Sequence, residues 1–121
     1  MRKHIKYNEI DIEIRNLVYL INEFEGIKTL FSCSGHQTGE QGYITFKADS
    51  QKALNNLVTH LPKRWNYMGF RKNQPESSYL WINVELMPEW GLVYSIRFEG
   101  FPFYVQRELI IETETHINAK P

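Results

Sequence analysis

Residues 30–42 read L-F-S-C-S-G-H-Q-T-G-E-Q-G, and they hold the only cysteine of a 121-residue chain. An apolar run stops there in Ser32, Cys33, Ser34, Gly35 and His36, and a polar loop at a strand end is a common place for binding or chemistry. Successive small residues beside a glycine turn backbone N–H groups inward as an anion-binding nest. Ser32 and Ser34 add hydroxyl donors, Gly35 lets a ligand come close to the backbone, and His36 either contacts a phosphate or moves a proton near neutral pH. Cys33 and His36 also have the C-x-x-H spacing of half a zinc site. A closed zinc site takes four ligands, and His4, His60 and His116 stand at no ligand spacing, so no metal is expected. The same two residues are the types of a thiol–imidazole nucleophile pair, which makes His36 and Cys33 the candidate catalytic residues. Residues three apart across a turn seldom hold that geometry, and no third, orienting group is identifiable. The competing account is a tight hairpin whose serines satisfy their own turn, with Cys33 as a small buried residue.

A second constellation lies between residues 63 and 72, where Lys63, Arg64, Trp65, Tyr67, Phe70, Arg71 and Lys72 interleave rings and cations. Rings for base stacking and cations for phosphate are what single-strand binders use. The competing account is a strand that buries its rings and leaves solvated charges between them. Arg64, Trp65, Tyr67 and Arg71 join the 32–36 loop as candidate ligand contacts, with Trp90 as a further ring. No glycine-rich phosphate loop of the P-loop or dinucleotide type is present.

The stretch I-D-I-E-I-R-N-L-V-Y-L-I-N-E-F-E-G-I-K-T-L-F-S-C-S-G-H, residues 10–36, resembles the start of the wybutosine-synthesising tRNA methyltransferase family. That family has a helix, a short link, a strand with threonine, then S-C-S-G, which Thr29, Ser32, Cys33, Ser34 and Gly35 match. It typically continues with arginine where this chain has His36, and its members are considerably longer. The resemblance implies an α+β scaffold with its ligand near the 32–36 loop. It also implies, as an alternative function, RNA or nucleotide modification with S-adenosylmethionine as cofactor, His36 as acid–base and RNA as partner.

The length is that of a single domain, 1–121. Net charge is zero, so total charge supplies no long-range pull on a polyanion or an anionic membrane. The charges are uneven, however. No acid occurs between Gln51 and Pro75, while from Glu76 to Thr115 seven acids face only Arg97 and Arg107. A lone cysteine rules out an internal disulfide, which suits the cytoplasm. No apolar run approaches the roughly 20 residues of a membrane span, and no signal-peptide stretch opens the chain.

The elements that must position the loop follow from periodicity. Ile10, Ile14, Leu17, Val18, Ile21 and Phe24 recur at helical spacing, with Asn8 as N-cap and Tyr7 and Ile12 at the positions of a hydrophobic staple. Strands are expected at 27–33 and 43–48, paired antiparallel because their link is short. A helix near 51–61 starts at Asp49 or Ser50, carries Leu54, Leu57, Val58 and Leu61, and is stopped by Pro62. Alternating strands are expected at 79–86 and 92–99, broken by Gly100 and Pro102. A closing helix over 103–117 is built on Val105, Leu109 and Ile110, with Glu108, Glu112 and Glu114 on a solvated face. The order describes an α+β fold of two tandem αββ units, an antiparallel sheet with helices on one face. The functional expectation is a small cytoplasmic protein that sequesters or senses a nucleotide-like or phosphorylated ligand. A structural or interaction protein, homo-oligomeric through a sheet edge, is the third reading.

Overall fold

The computed structural model describes residues 10–35, 42–62, 77–101 and 103–119. The elements are α1 (Ile12–Asn22), β1 (Ile27–Cys33), β2 (Gly42–Ala48), α2 (Gln51–Val58), β3 (Ser77–Met87), β4 (Gly91–Phe101) and α3 (Phe103–Ala119). The strands make one antiparallel sheet in the order β1-β2-β4-β3. One core joins Ile14, Leu17, Val18 and Ile21 of α1, Leu57 of α2, and Leu109 and Ile110 of α3 to Ile27, Ile44, Phe46, Ile96 and Phe98 of the sheet. The helices therefore share one face of the sheet, and the fold is α+β as expected. Among the described residues no helix is long and apolar enough to cross a membrane.

The element order is the one that two αββ units in tandem would have, but the packing does not repeat. The closing helix α3 lies on β4 and β3, α1 lies on β1, and α2 touches β2. Length explains this. Eight residues make a helix of about 12 Å and seventeen one of about 26 Å, so only α3 can cover a hairpin of 11-residue strands.

Local boundaries depart from periodicity where a distant contact intervenes. Asp11, not Asn8, occupies the N-cap of α1, and its side chain caps nothing in its own helix. Ile12 is 73% exposed, so it makes no staple; Tyr7 and Asn8 lie outside the described residues. Helix α2 starts on Ser50, whose hydroxyl accepts from the Ala53 N–H, and it ends at Val58, short of the expected end at Leu61. At the far end of α1, Asn22 donates to Thr29 Oγ1 at 2.6 Å and accepts from the Thr29 N–H at 2.9 Å. That amide is drawn to a helix side chain rather than to the neighbouring strand, and the β1–β2 register shifts between Thr29 and Phe31.

Strands β3 and β4 run longer than alternation alone indicates. Gly100 does not break β4; it pairs with Ser78. Leu80, Ile82, Val84 and Leu86 pair with Phe98, Ile96, Tyr94 and Leu92. The hairpin outruns its helices, and Leu86 at its end is 78% exposed.

The acidic face of α3 is not uniformly solvated. Glu108 is exposed, while Glu112 reaches His116 one turn on at 4.0 Å. Glu114 is half-buried, and burial raises its pKa while a hydrogen bond from Asn16 of α1 opposes the rise. A raised carboxyl contributes stability fully below its ordinary value of 4.5 and loses it as pH rises through the shifted value. Glu114→Gln is therefore expected to raise the melting temperature at pH 7 but not at pH 3.5, measured by parallel thermal melts.

Candidate functional site

The 32–36 loop is fastened from both sides. Strand β1 ends at Cys33, and the next residue, Ser34, is buried. Its N–H donates to Asp11 Oδ2 at 2.9 Å, and its hydroxyl lies 3.2 Å from the same oxygen and 3.3 Å from Glu13 Oε1. Its carbonyl accepts from Gln106 Nε2 at 2.8 Å. Gln106 is buried on α3, and Arg107 beside it reaches Glu13 at 3.7 Å. The start of α1, the start of α3 and the hairpin end of β1–β2 thus meet at one residue. Gly35 takes a positive φ of 78°, and its N–H points at Cys33 Sγ at 3.5 Å. Strand β2 begins against this knot: a Cβ on Gly42 would stand 2.9 Å from the Ser34 carbonyl oxygen. Two of the donors expected to face a ligand, the Ser34 amide and hydroxyl, are directed at the protein's own carboxylates.

The charge that faces outward sits one step along the sheet. Cys33 pairs with Tyr43, Tyr43 with Arg97, and Arg97 with Trp81, a row across all four strands. The neighbours of Tyr43 and Arg97 along the strands, Ile44 and Ile96, belong to the helix-side core; alternation puts Tyr43 and Arg97 on the opposite face. The Arg97 guanidinium stands over the Tyr43 ring, 5.3 Å from its centroid, within the range of a cation–π contact. Among the described residues Arg97 has no carboxylate partner. Burial pushes the Tyr43 phenol above its ordinary pKa; Cys33 adds to the push, Arg97 opposes it and Asp11 adds to it. Tyr43 therefore remains a protonated donor at neutral pH.

The next row inward is Phe31, Thr45, Ser95 and Asn83. Thr45 and Ser95 are each 2% exposed, and their hydroxyl oxygens lie 2.7 Å apart. Beyond them Lys47 turns its ammonium away, to the Trp90 carbonyl at 2.6 Å.

The expected site residues divide accordingly. Ser32, Cys33, Ser34 and Gly35 sit together at the sheet end. His36, Arg64, Trp65, Tyr67 and Arg71 lie outside the described residues. Trp90 belongs to the opposite end of the sheet, in the turn after Met87, so it does not cover a ligand held at the loop. Sequence reasoning missed Tyr43, Arg97, Thr45 and Ser95. Their signal was present: in the alternation of the two central strands, the residues between the apolar positions define one polar face. It also missed the clamp of Asp11 and Gln106, which no local spacing could reveal. Two shallow cavities of about 380 and 330 Å³ lie away from the loop, around Glu25, Asp49 and Asn56 and around Phe24, Asn56 and His60. Among the described residues no three His, Cys, Asp or Glu side chains gather as a metal site.

No protein-family model, no curated protein and no solved structure matches the chain.

Proposed function

We propose that this protein binds a small nucleotide-like or phosphorylated ligand at the sheet end marked by the 32–36 loop, and that it sequesters or senses that ligand. One observation carries the reading. Arg97 is half-buried, stacked on Tyr43, which stands between it and Cys33 in register, and without a carboxylate partner among the described residues. A partly desolvated guanidinium gains most from a charge-assisted, bidentate contact with a phosphate or carboxylate. Its plane is also a surface on which a base can stack. The loop's part is positioning, since Asp11 and Gln106 fix the strand end that sets the Cys33–Tyr43 pair.

The test is a thermal-shift screen against 5′-nucleotides, cyclic nucleotides and S-adenosylmethionine. A ligand at 100 to 1,000 times its Kd is expected to stabilise by about 3 to 4 kcal/mol. Arg97→Gln is expected to abolish that shift while leaving the unliganded melting temperature within about 2 °C, the range of a benign surface change. Shifts that survive in the variant, or no shift with any ligand, would defeat the reading.

The alternative is an RNA- or nucleotide-modifying enzyme using S-adenosylmethionine. It draws on the basic content of the same sheet face, where Lys28 and Lys47 pair across β1 and β2 and Arg97 pairs with Tyr43 at the other end of β2. Stabilisation by S-adenosylmethionine alone, together with salt-sensitive binding of single-stranded RNA, would favour it.

A further inference from the structure

Thr45 and Ser95 present an unfinished hydrogen-bond account. Two hydroxyls carry two hydrogens, and one is spent between them. The second has no acceptor among the described residues, although both side chains are 98% buried. A buried donor left without an acceptor is costly, and this one lies next to Arg97 on β4 and next to Tyr43 on β2. The three donors, hydroxyl, guanidinium and phenol, occupy adjacent positions of two paired strands.

The charge around this quartet is limited. Arg97 is the cation in the neighbouring row, while Lys28 and Lys47 pair at the far end of β1 and β2, where Lys47 is committed to the Trp90 carbonyl. Asp11 adds negative charge that is felt at Tyr43, and Glu13 stands beside Asp11 at Ser34. Glu99 follows Arg97 on the same face of β4 and Cys33 flanks Tyr43. The carboxylates already outnumber the guanidinium, and their repulsion grows with the ligand's charge, so a singly charged anion fits better than a doubly charged one.

We infer that Thr45, Ser95, Arg97 and Tyr43 form the seat of a singly charged phosphodiester, with the unspent hydroxyl hydrogen and the Arg97 guanidinium both donating to it. This rests on the nucleotide-binding reading above and narrows it. A phosphate monoester carries a charge of about −1.5 to −2 at neutral pH, with a second pKa near 6, and is the poorer fit. A diester occurs in a 3′,5′-cyclic nucleotide and in a linear dinucleotide, and both belong in the test.

The experiment is titration calorimetry of the full chain with three panels. These are the four 3′,5′-cyclic mononucleotides, the four dinucleoside monophosphates ApA, GpG, CpC and UpU, and the four 5′-mononucleotides. At pH 8 the best diester is expected to bind at least about tenfold more tightly than the matching 5′-mononucleotide, the size of one charge-assisted hydrogen bond. At pH 5, where the monoester is singly charged, the gap is expected to shrink to within about threefold, half or less of that interaction. Preference between the first two panels identifies the source of the diester. A Thr45→Val/Ser95→Ala double variant removes both hydroxyls while keeping the shapes, a change close to neutral for folding. It is expected to lose about tenfold in diester affinity. Tighter binding of 5′-mononucleotides at pH 8, or an unchanged diester affinity in the double variant, overturns the seat and leaves the Arg97 reading standing. Binding of nothing in any panel overturns both. Should the double variant melt early, Ser95→Ala alone supplies the same comparison.

Discussion

Phe46→Ala is expected to lower the unfolding free energy by about 3 to 5 kcal/mol, a large share of the roughly 5 to 15 kcal/mol that holds a domain of this kind together. Phe46 is fully buried on the central strand β2, paired with Thr29 on one side and Tyr94 on the other. Its ring stacks on Tyr94 with centroids 5.7 Å apart and planes 28° from parallel. It belongs to the one core that all three helices share, so no second core takes over when it is cut back. Urea denaturation checks this. The midpoint should fall with little change in slope, since the area exposed on unfolding scarcely changes. A loss under about 1 kcal/mol would mean that β2 is not the centre of the sheet.

Asp11→Ala is expected to cost about 1.5 to 3 kcal/mol, the range for hydrogen bonds to a charged group whose buried partner is left behind. The aspartate stands at the helix N-cap without a hydrogen bond into its own helix, and its carboxylate holds Ser34 instead. Amide hydrogen exchange separates the two. Exchange at Ser34 should accelerate by about tenfold or more, in proportion to the lost interaction, while the amides of Leu17 to Ile21 follow only global stability. Asp11→Asn retains one carbonyl oxygen for the same N–H and should recover part of the loss. If Ser34 exchange were unchanged in the alanine variant, the clamp would not be what fixes the loop.

How far the sequence carried the fold follows from the reach of each cause. Where a cause is local, the reading holds. The helical spacing of Ile14, Leu17, Val18 and Ile21 marks α1, the short link between the runs 27–33 and 43–48 marks the antiparallel β1–β2 pair, and Ser50 marks the start of α2. Where the cause is distant, the local reading goes astray. Asn8 looks like the cap of α1, whereas Asp11 holds that place and sequence cannot show that Ser34, 23 residues on, takes its carboxylate. Gln106 looks like an ordinary helix residue, yet it is buried against a carbonyl 72 positions away. Gly100 looks like a strand breaker, yet the register with Ser78 carries β4 through it. The site divides the same way. The 32–36 loop is visible as a cluster of reactive types, whereas Thr45 and Ser95 are 50 residues apart and meet only once β2 and β4 pair.

The central claim is that a nucleotide-like anion binds at Arg97 and Tyr43 beside the loop. The most direct measurement is an amide NMR titration of the isotope-labelled protein with the cyclic and 5′-nucleotide panels. The account predicts saturable shifts concentrated at Cys33, Ser34, Gly35, Tyr43, Thr45, Ser95 and Arg97, and none at Glu25, Asp49 or Asn56 at the other end of the hairpin. Saturable shifts at that opposite end, or a spectrum indifferent to every nucleotide at millimolar concentration, would contradict it.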